Sequence, residues 1–188
     1  MRVGDRVASK DASLPGEALV SKSVSLRRWE LTDLQAVEEA AGDRSLLQGT
    51  TLPSPYTPEE GAAFIARQWR RQTSGEGLSL AIALNGRAVG CATLMIRRPG
   101  VVDFGYWLVG PARGAGVGTR AVALLVDWVV GLPDVEAVEA FVADDNIPSQ
   151  KLLSRLGFRY TGRQRHQVND LDQELRVYRR NTAVLGLL

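Results

Sequence analysis

A glycine-rich stretch near the middle of the chain constrains its fold most strongly. Residues 111–122 read PARGAGVGTRAV; they follow the apolar run DFGYWLV and precede an apolar pattern with helical spacing. Glycine at this density lets the backbone curl tightly between a strand and a helix. Such a turn directs several N–H groups and a helix N-terminus at one point, so the stretch predicts a phosphate-binding turn.

Two other glycine patterns bear on the same stretch. It is not a P-loop, because no Gly-Lys-Ser/Thr ends it. Gly116, Gly118 and Ala121 match the dinucleotide fingerprint G-x-G-x-x-G/A. That fingerprint belongs to the first strand of a parallel doubly wound sheet, whereas here the turn follows several strands. A nicotinamide-binding protein is therefore kept as the less favoured alternative.

The strands around the turn predict the fold class. LSLAIAL and AVGCATLMI are separated by Asn85-Gly86-Arg87, and Asn-Gly is a strong hairpin signal. VVDFGYWLV follows as a third strand of an antiparallel meander. The helical pattern after the turn leads to the strand VEAVEAFVA, which implies a parallel crossover. The sequence therefore predicts an α+β fold with a central mixed, mostly antiparallel sheet flanked by helices.

Helix signals and charge distribution predict the domain organisation. Thr57, Pro58 and Glu60 form a capping box with proline at the first helical position, and Gly157 stands where a helix C-cap is expected. Residues 1–22 carry scattered charges without an apolar core, so we expect a flexible N-terminal extension rather than a secretory signal. Residues 23–188 are expected to form a single domain.

Composition narrows the functional class. The chain has 188 residues, a formal net charge of +2 and 45% hydrophobic residues, which is typical of one globular domain and too weakly charged to argue for nucleic-acid binding. The single Cys91 and single His166 predict neither a disulfide nor a metal centre, and favour a reducing, cytoplasmic location. The longest apolar stretch is far shorter than the roughly 18 residues that a membrane span needs.

A second motif lies one helix and one strand beyond the glycine turn. Residues 143–158 read ADDNIPSQKLLSRLGF. Asn146, Ser149 and the ending Leu156-Gly157-Phe158, downstream of Arg113-x-x-Gly116-x-Gly118, resemble the GNAT superfamily of N-acetyltransferases. The stretch DFGYWLVGPARGAGVGT is similar to that of the ribosomal-protein N-terminal acetyltransferases, the RimJ/RimL-like branch. The resemblance covers about residues 24–180.

The resemblance implies a coenzyme site. In that family the glycine turn holds the diphosphate of acetyl-CoA, and the strands on either side of the cofactor splay apart. Backbone groups near Trp107, Leu108 and Val109 would then pair with the pantetheine arm, Asn146 would contact the same arm, and Lys151 would reach the adenosine phosphate. The turn residues assigned to the cofactor are Arg113, Gly114, Ala115, Gly116, Val117, Gly118 and Thr119.

The resemblance also implies direct attack of a primary amine on the thioester. The Val109 amide is the expected donor to the oxyanion, and Asp103 is the expected base, acting directly or through water. Many relatives have a tyrosine seven residues beyond the asparagine, but here that position is Leu153. Ser149 is therefore the candidate acid, with Asn146 beside it and Tyr160 as a weaker substitute.

The acceptor is left open by the sequence. In the family its cleft is bordered by the loop at residues 53–57 and by the last hairpin, where Asp170, Asp172, Glu174 and His166 stand. A peptide N-terminus, a polyamine or an aminoglycoside would fit, as would either a monomer or a homodimer. Two further alternatives are a non-catalytic acyl-CoA-binding module and a succinyl-CoA-using acyltransferase. Cys91, within a strand, is expected to be buried and inert.

Overall fold

The computed structural model describes residues 18–168 and 171–182. Within them the chain forms eight strands, which are numbered in chain order. They are β1 (Leu19–Ser21), β2 (Val24–Arg27), β3 (Gly77–Leu84), β4 (Arg87–Arg98), β5 (Val101–Leu108), β6 (Ala137–Val142), β7 (Arg159–Val168) and β8 (Leu171–Asn181).

Five α-helices accompany the strands. They are α1 (Leu34–Ala41), α2 (Arg44–Leu47), α3 (Pro58–Thr73), α4 (Val117–Val129) and α5 (Ile147–Arg155). The Thr57 hydroxyl accepts the Glu60 N–H at 3.2 Å to begin α3. Gly157, at φ +81°, follows the end of α5. The predicted helix start and helix end are both confirmed, because capping is decided by residues close in sequence.

The eight strands form one sheet in the order β1-β2-β3-β4-β5-β6-β8-β7. Among these described strands, β5 and β6 are the one parallel pair. The predicted α+β class with a mixed, mostly antiparallel sheet is confirmed. Asn85 and Gly86, both at positive φ, make the predicted turn between β3 and β4.

The sheet opens between its two central strands. Pairing of β5 with β6 covers three positions, from Val101 with Ala137 to Asp103 with Glu139. Beyond them β5 continues to Leu108 and β6 continues to Val142 without pairing to each other. We call the space between residues 104–108 of β5 and 140–142 of β6 the strand gap. It is the splay that the sequence resemblance implied.

The ordered sheet begins before the boundary expected from the sequence. Leu19–Ser21 pairs with Val24–Leu26 as an antiparallel edge hairpin. The expected extension at residues 1–22 therefore needs correction at its C-terminal end, where a short strand completes the sheet edge. The hairpin was missed because three residues are too short for a visible alternating pattern. Residues 1–17 lie outside the described part of the chain.

The core lies between the sheet and its helices. The apolar face expected for α4, formed by Val122, Leu125, Val126 and Val129, is fully buried. On the other side, Trp29 packs edge-on against Phe64 at a ring-centroid distance of 5.7 Å and lies 6.2 Å from Trp107. This packing holds α3 and α4 firmly against the central strands, and so fixes the walls of the strand gap.

Candidate active site

The edge of β5 that lines the strand gap carries backbone groups. The Val109 N–H donates to the Val89 carbonyl at 2.9 Å, on the β4 side. In an antiparallel pair, consecutive residues direct their N–H groups alternately toward the partner strand and away from it. The N–H groups of Tyr106 and Leu108 therefore face the gap. The expected role of the Val109 amide is wrong, because that amide already completes the sheet. The Leu108 amide, one residue earlier, faces the gap instead.

The glycine turn closes one end of the gap. Gly114 and Gly116 have φ values of +81° and +74°, which residues with a β-carbon rarely adopt. Gly116 directly precedes the first residue of α4, so the first N–H groups of that helix point out of the turn. Gly118 is required for another reason. A β-carbon there would lie 3.2 Å from Cε2 of Tyr106, so the glycine allows α4 to pack on β5.

The Arg113 side chain braces the turn. Its Nε donates to the Leu108 carbonyl at 2.9 Å, and its Nη2 pairs with the Asp43 carboxylate at 2.6 Å. Asp43 offsets much of the positive charge that the sequence pattern assigned to a phosphate. The anion-binding capacity of the turn thus resides mainly in backbone N–H groups and the α4 N-terminus.

Arg120, in the first part of α4, contacts the glycine turn and was not predicted from the sequence motif. Its Nη2 donates to the Ala115 carbonyl at 3.2 Å, and its backbone N–H donates to Gly116. Its buried Nε meets no hydrogen-bond acceptor among the described residues. The signal in the sequence was its position four residues after Gly116, which places it one helical turn behind the glycines.

Asn146 and Ser149 lie at the start of α5. The Asn146 Oδ1 accepts the Ser149 N–H at 3.2 Å and caps the helix. This cap uses the amide oxygen, so the side-chain nitrogen of the exposed Asn146 is still available as a donor. Ser149 is buried and lies near the Tyr106 side chain. Burial raises the pKa of Tyr106, and the contact with Ser149 partly opposes that rise.

Asp103 lies at the closed end of the gap, where β5 and β6 still pair. It is only 6% exposed, and Arg97 Nε donates to its Oδ2 at 3.2 Å. The other oxygen, Oδ1, is buried and has no hydrogen-bond partner within the described part of the chain. Burial raises the pKa of Asp103; Arg97 opposes the rise and neighbouring Glu139 adds to it. A carboxyl with a free oxygen and a raised pKa has the properties of a general base.

A charged network surrounds Asp103 and was not anticipated. Glu139, also buried, accepts from Arg98 at 2.8 Å and from Arg179 at 2.7 Å. These residues come from β4, β6 and β8. Nearby, Phe141 and His166 stack with ring centroids 4.7 Å apart. Burial, and then Arg97, lower the pKa of His166, so this ring is neutral at physiological pH.

Strand alternation separates the candidate groups. Side chains along β5 point alternately to the two faces of the sheet, so Asp103 and Tyr106 lie on opposite faces. Tyr106 lies on the face covered by α4 and α5, since a β-carbon on Gly118 would lie 3.2 Å from the tyrosine ring and 3.5 Å from Leu152 of α5. Three residues of strand, about 10 Å, separate Asp103 from Tyr106 along the sheet. The gap therefore has one face beside the glycine turn and another beside Asp103.

The remaining residues considered from the sequence differ in their exposure. Lys151 is exposed on α5, and Thr119 is half-buried in the first turn of α4. Tyr160 is 47% exposed beneath the Arg176 guanidinium, which lies 4.4 Å from its ring centroid. Leu153 is buried in the core. Burial raises the pKa of Cys91 to about 11, which fits the expected inert thiol.

The acidic side chains of the last hairpin are paired. Asp172 lies 3.4 Å from Arg165, and Glu174 lies 3.2 Å from Arg163. Their neighbours therefore offset the negative charge expected to attract a cationic acceptor. Asp170, the third acid of that set, falls outside the described residues.

Residues 18–168 and 171–182 contain neither a cluster of metal ligands nor a membrane-spanning helix. No three histidine, cysteine or acidic side chains come together as metal ligands there. None of the helices in the same ranges combines the length and the hydropathy needed to cross a bilayer.

Comparison with known sequences agrees with this geometry. The family model for the acetyltransferase (GNAT) domain matches residues 23–159. An uncharacterized N-acetyltransferase, p20, of Bacillus licheniformis is 28% identical over 152 residues, which cover 78% of this chain and 84% of that protein. The resemblance inferred from the two motifs is confirmed.

Comparison with solved structures supports the same fold. The ribosomal L7/L12 α-N-protein acetyltransferase RimL, in complex with coenzyme A, superposes with a TM-score of 0.75 at 19% identity, covering 88% of this chain and 98% of that one. Mycobacterium smegmatis RimJ, in complex with CoA-disulfide, gives a TM-score of 0.75 at 22% identity, covering 87% of this chain and 84% of that one. At these identities the likeness shows a common fold.

Proposed function

We propose that this chain, which belongs to the acetyltransferase (GNAT) family, transfers the acetyl group of acetyl-CoA to a primary amine in a ternary complex. The main support for this proposal is the strand gap that leads to the glycine turn. An opening in the sheet beside a turn of backbone N–H groups suits a ligand with a long polar arm that ends in phosphate groups.

The coenzyme would lie on the helix-facing side of the gap. The backbone N–H groups of residues 114–119 would hold its diphosphate, assisted by the N-terminus of α4. The gap-facing backbone of Tyr106 would pair with its pantetheine arm, the Leu108 N–H would face the thioester, and the Asn146 side-chain nitrogen would donate to the arm. Acetyl-CoA supplies the activated acetyl group; these residues bind it and fix its orientation.

The acceptor would enter from the opposite face, where Asp103 lies. Because Asp103 is about 10 Å along the strand from Tyr106, it would take the proton from the amine through a water molecule. Its free Oδ1 can accept that proton, and its raised pKa makes it a stronger base than an exposed aspartate. The Leu108 N–H would donate to the oxygen on which negative charge develops.

Departure of the coenzyme thiolate would require a proton on the helix-facing side. Ser149 is buried next to the gap and carries a hydroxyl, whereas Leu153 on the same helix has no proton to give. Ser149 is therefore the proposed donor to the sulfur. The two proton transfers then take place on opposite faces of the sheet, which keeps the base and the acid from neutralising each other.

The acceptor class is proposed from the relatives. RimL acts on the N-terminus of ribosomal L7/L12, so an α-amino group at a protein N-terminus is the first candidate and a small-molecule amine the second. The paired acids of the last hairpin give no specific support for a polyamine or an aminoglycoside. We also propose a cytoplasmic site of action, where acetyl-CoA and ribosomal proteins are found.

Calorimetric titration followed by a thiol-release screen tests the proposal. The full chain is titrated with acetyl-CoA, succinyl-CoA, free CoA and NADH, and then mixed with acetyl-CoA and a panel of N-terminal peptides and amines. The proposal expects micromolar binding of acetyl-CoA and thiol release with at least one acceptor. Binding without release would indicate a non-catalytic module, and preferred binding of succinyl-CoA a different acyl donor. Binding of NADH alone would overturn the family-based reading of the turn.

A further inference from the structure

We infer that Arg120, rather than the motif residue Arg113, supplies the full positive charge that binds the coenzyme diphosphate at the glycine turn. This inference rests on the proposed function. It deepens that function by naming the charged side chain that recognises the phosphate end of acetyl-CoA. Arg113 keeps a different role, because its hydrogen bonds to Leu108 and Asp43 brace the turn.

The Arg120 guanidinium lies against the glycine turn. Side chains on a helix lean back toward its N-terminus, and Arg120 lies in the first part of α4, so its side chain returns to the residues just before the helix. Its Nη2 donates to the Ala115 carbonyl at 3.2 Å. Its Nη1 lies 3.3 Å from the position that a β-carbon on Gly116 would take. The charge is therefore held against the backbone of the turn.

The two arginines at the turn differ in how their charge is balanced. Arg113 Nη2 lies 2.6 Å from the Asp43 carboxylate, and Arg113 Nε donates to the Leu108 carbonyl. Arg120 takes part in none of the ion pairs formed within residues 18–168 and 171–182. The positive charge that is free to meet an anion at the turn thus belongs to Arg120.

The Arg120 guanidinium also has N–H groups left for a ligand. A guanidinium carries five N–H donors. Within the described part of the chain, the Ala115 carbonyl is the one acceptor for this side chain, and the buried Nε has none. Because these donors point in fixed and different directions, one edge can hold a backbone carbonyl while another binds a phosphate. Nη1 would therefore meet the diphosphate while Nη2 stays on Ala115.

A diphosphate needs more charge than the turn backbone offers. A helix N-terminus acts as roughly half a positive charge, whereas each phosphate of the coenzyme diphosphate carries a full negative charge. Hydrogen bonds between ionised partners are also roughly twice as strong as neutral ones. To the backbone N–H groups Arg120 adds one full charge, which Arg113, paired with Asp43, does not supply.

Two variants and a matched control test the assignment. Arg120→Gln should weaken acetyl-CoA binding about 10- to 100-fold in calorimetry at low salt, because a hydrogen bond between charged groups is lost. Arg120→Lys keeps the charge without the planar fork and should bind acetyl-CoA within about tenfold of the wild type. Arg70→Gln is the control. It makes the same change in net charge on the exposed side of α3 and should bind within about twofold of the wild type.

Salt dependence separates recognition of the ligand charge from support of the turn. The ratio of Kd values between Arg120→Gln and wild type should shrink below about threefold at about 1 M salt, because salt screens the attraction between the charges. The contact with Ala115 joins the guanidinium to an uncharged carbonyl. Loss of that support alone would weaken binding by the same factor at low and at high salt.

The possible results distinguish this inference from the proposed function. Equal affinity of Arg120→Gln and wild type for acetyl-CoA, or a ratio of their Kd values that salt leaves unchanged, would overturn the assignment of Arg120. Thermal melting checks that each variant folds. Should Arg120→Gln fail to fold, Arg120→Lys decides, since binding much weaker than the expected tenfold limit would also overturn the assignment. No binding of acetyl-CoA to the wild type would instead overturn the proposed function.

Discussion

The two ends of β5 beside the strand gap carry different kinds of polar group. At the Leu108 end, the groups that face the gap and the turn are backbone N–H groups, freed by glycines at positive φ. At the Asp103 end, they are charged side chains drawn from β4, β5, β6 and β8. Under the proposed function, coenzyme binding at the first end would depend on backbone conformation, whereas the rate at the second end would depend on the Asp103 carboxylate.

The largest effect is expected at the turn. Gly116→Val should weaken acetyl-CoA binding at least 100-fold, because a β-branched residue at φ +74° costs about 1–2 kcal/mol and displaces the N–H groups that form the cradle. Isothermal titration calorimetry measures the affinity and thermal melting checks the fold. Gly49→Ala is the control, since a β-carbon there meets open space. Unchanged affinity for acetyl-CoA in a folded Gly116→Val protein would remove the turn from the site.

At the other end of β5, loss of the Asp103 carboxylate should lower kcat without changing the affinity for acetyl-CoA. Asp103→Asn is expected to lower kcat by about 100-fold with the Kd for acetyl-CoA within twofold, because the base is lost and the turn is untouched. In the wild type, kcat/KM should rise with pH as the Asp103 carboxyl ionises, at a pH above the ordinary aspartate range. That rise should disappear in Asp103→Asn. A variant that keeps both the rate and the pH profile would place the base elsewhere.

Asn146 allows its two roles to be separated. Asn146→Ala should destabilise the protein by about 0.5–2 kcal/mol through loss of the cap and should weaken acetyl-CoA binding about tenfold. Asn146→Asp keeps the capping oxygen but lacks the side-chain N–H donor. It should therefore retain stability in chemical denaturation and still bind acetyl-CoA weakly in calorimetry. Equal affinity of Asn146→Asp and wild type would limit Asn146 to its cap.

The smallest effect is expected from Arg97→Gln, which tests whether Arg97 sets the pKa of Asp103. Arg97 lowers the pKa of Asp103 against the effect of burial, so Arg97→Gln should move the acidic rise of kcat/KM to higher pH. The plateau rate should change less than about threefold, because the carboxylate itself remains. Steady-state rates from pH 4 to 9 measure both quantities. A shift to lower pH would contradict the assigned ion pair.

Features that depend on neighbouring residues could be predicted from the sequence. The Asn85-Gly86 hairpin, the Thr57 cap, the Gly157 helix end and the glycine turn follow from local backbone preference. The order of these elements also predicted the parallel crossover, and the family resemblance implied the gap. Asn146 and Ser149 lie together at the start of α5 because a helix N-terminus brings its first residues to one place.

Features that depend on strand register could not be predicted. The Val109 amide was assigned to the wrong edge of β5, because its direction depends on its pairing with Val89. The Arg113–Asp43 pair joins residues 70 positions apart, and Glu139 meets Arg98 across 41 positions. Such contacts leave no local pattern.

Whether the glycine turn binds coenzyme A is best tested by calorimetric titration of the wild type and of Gly116→Val with acetyl-CoA, and of the wild type with NADH. We expect one acetyl-CoA site with micromolar affinity in the wild type, its loss in Gly116→Val, and no heat of binding with NADH. Acetyl-CoA binding that survives in a folded Gly116→Val protein, or binding of NADH in place of acetyl-CoA, would contradict this expectation.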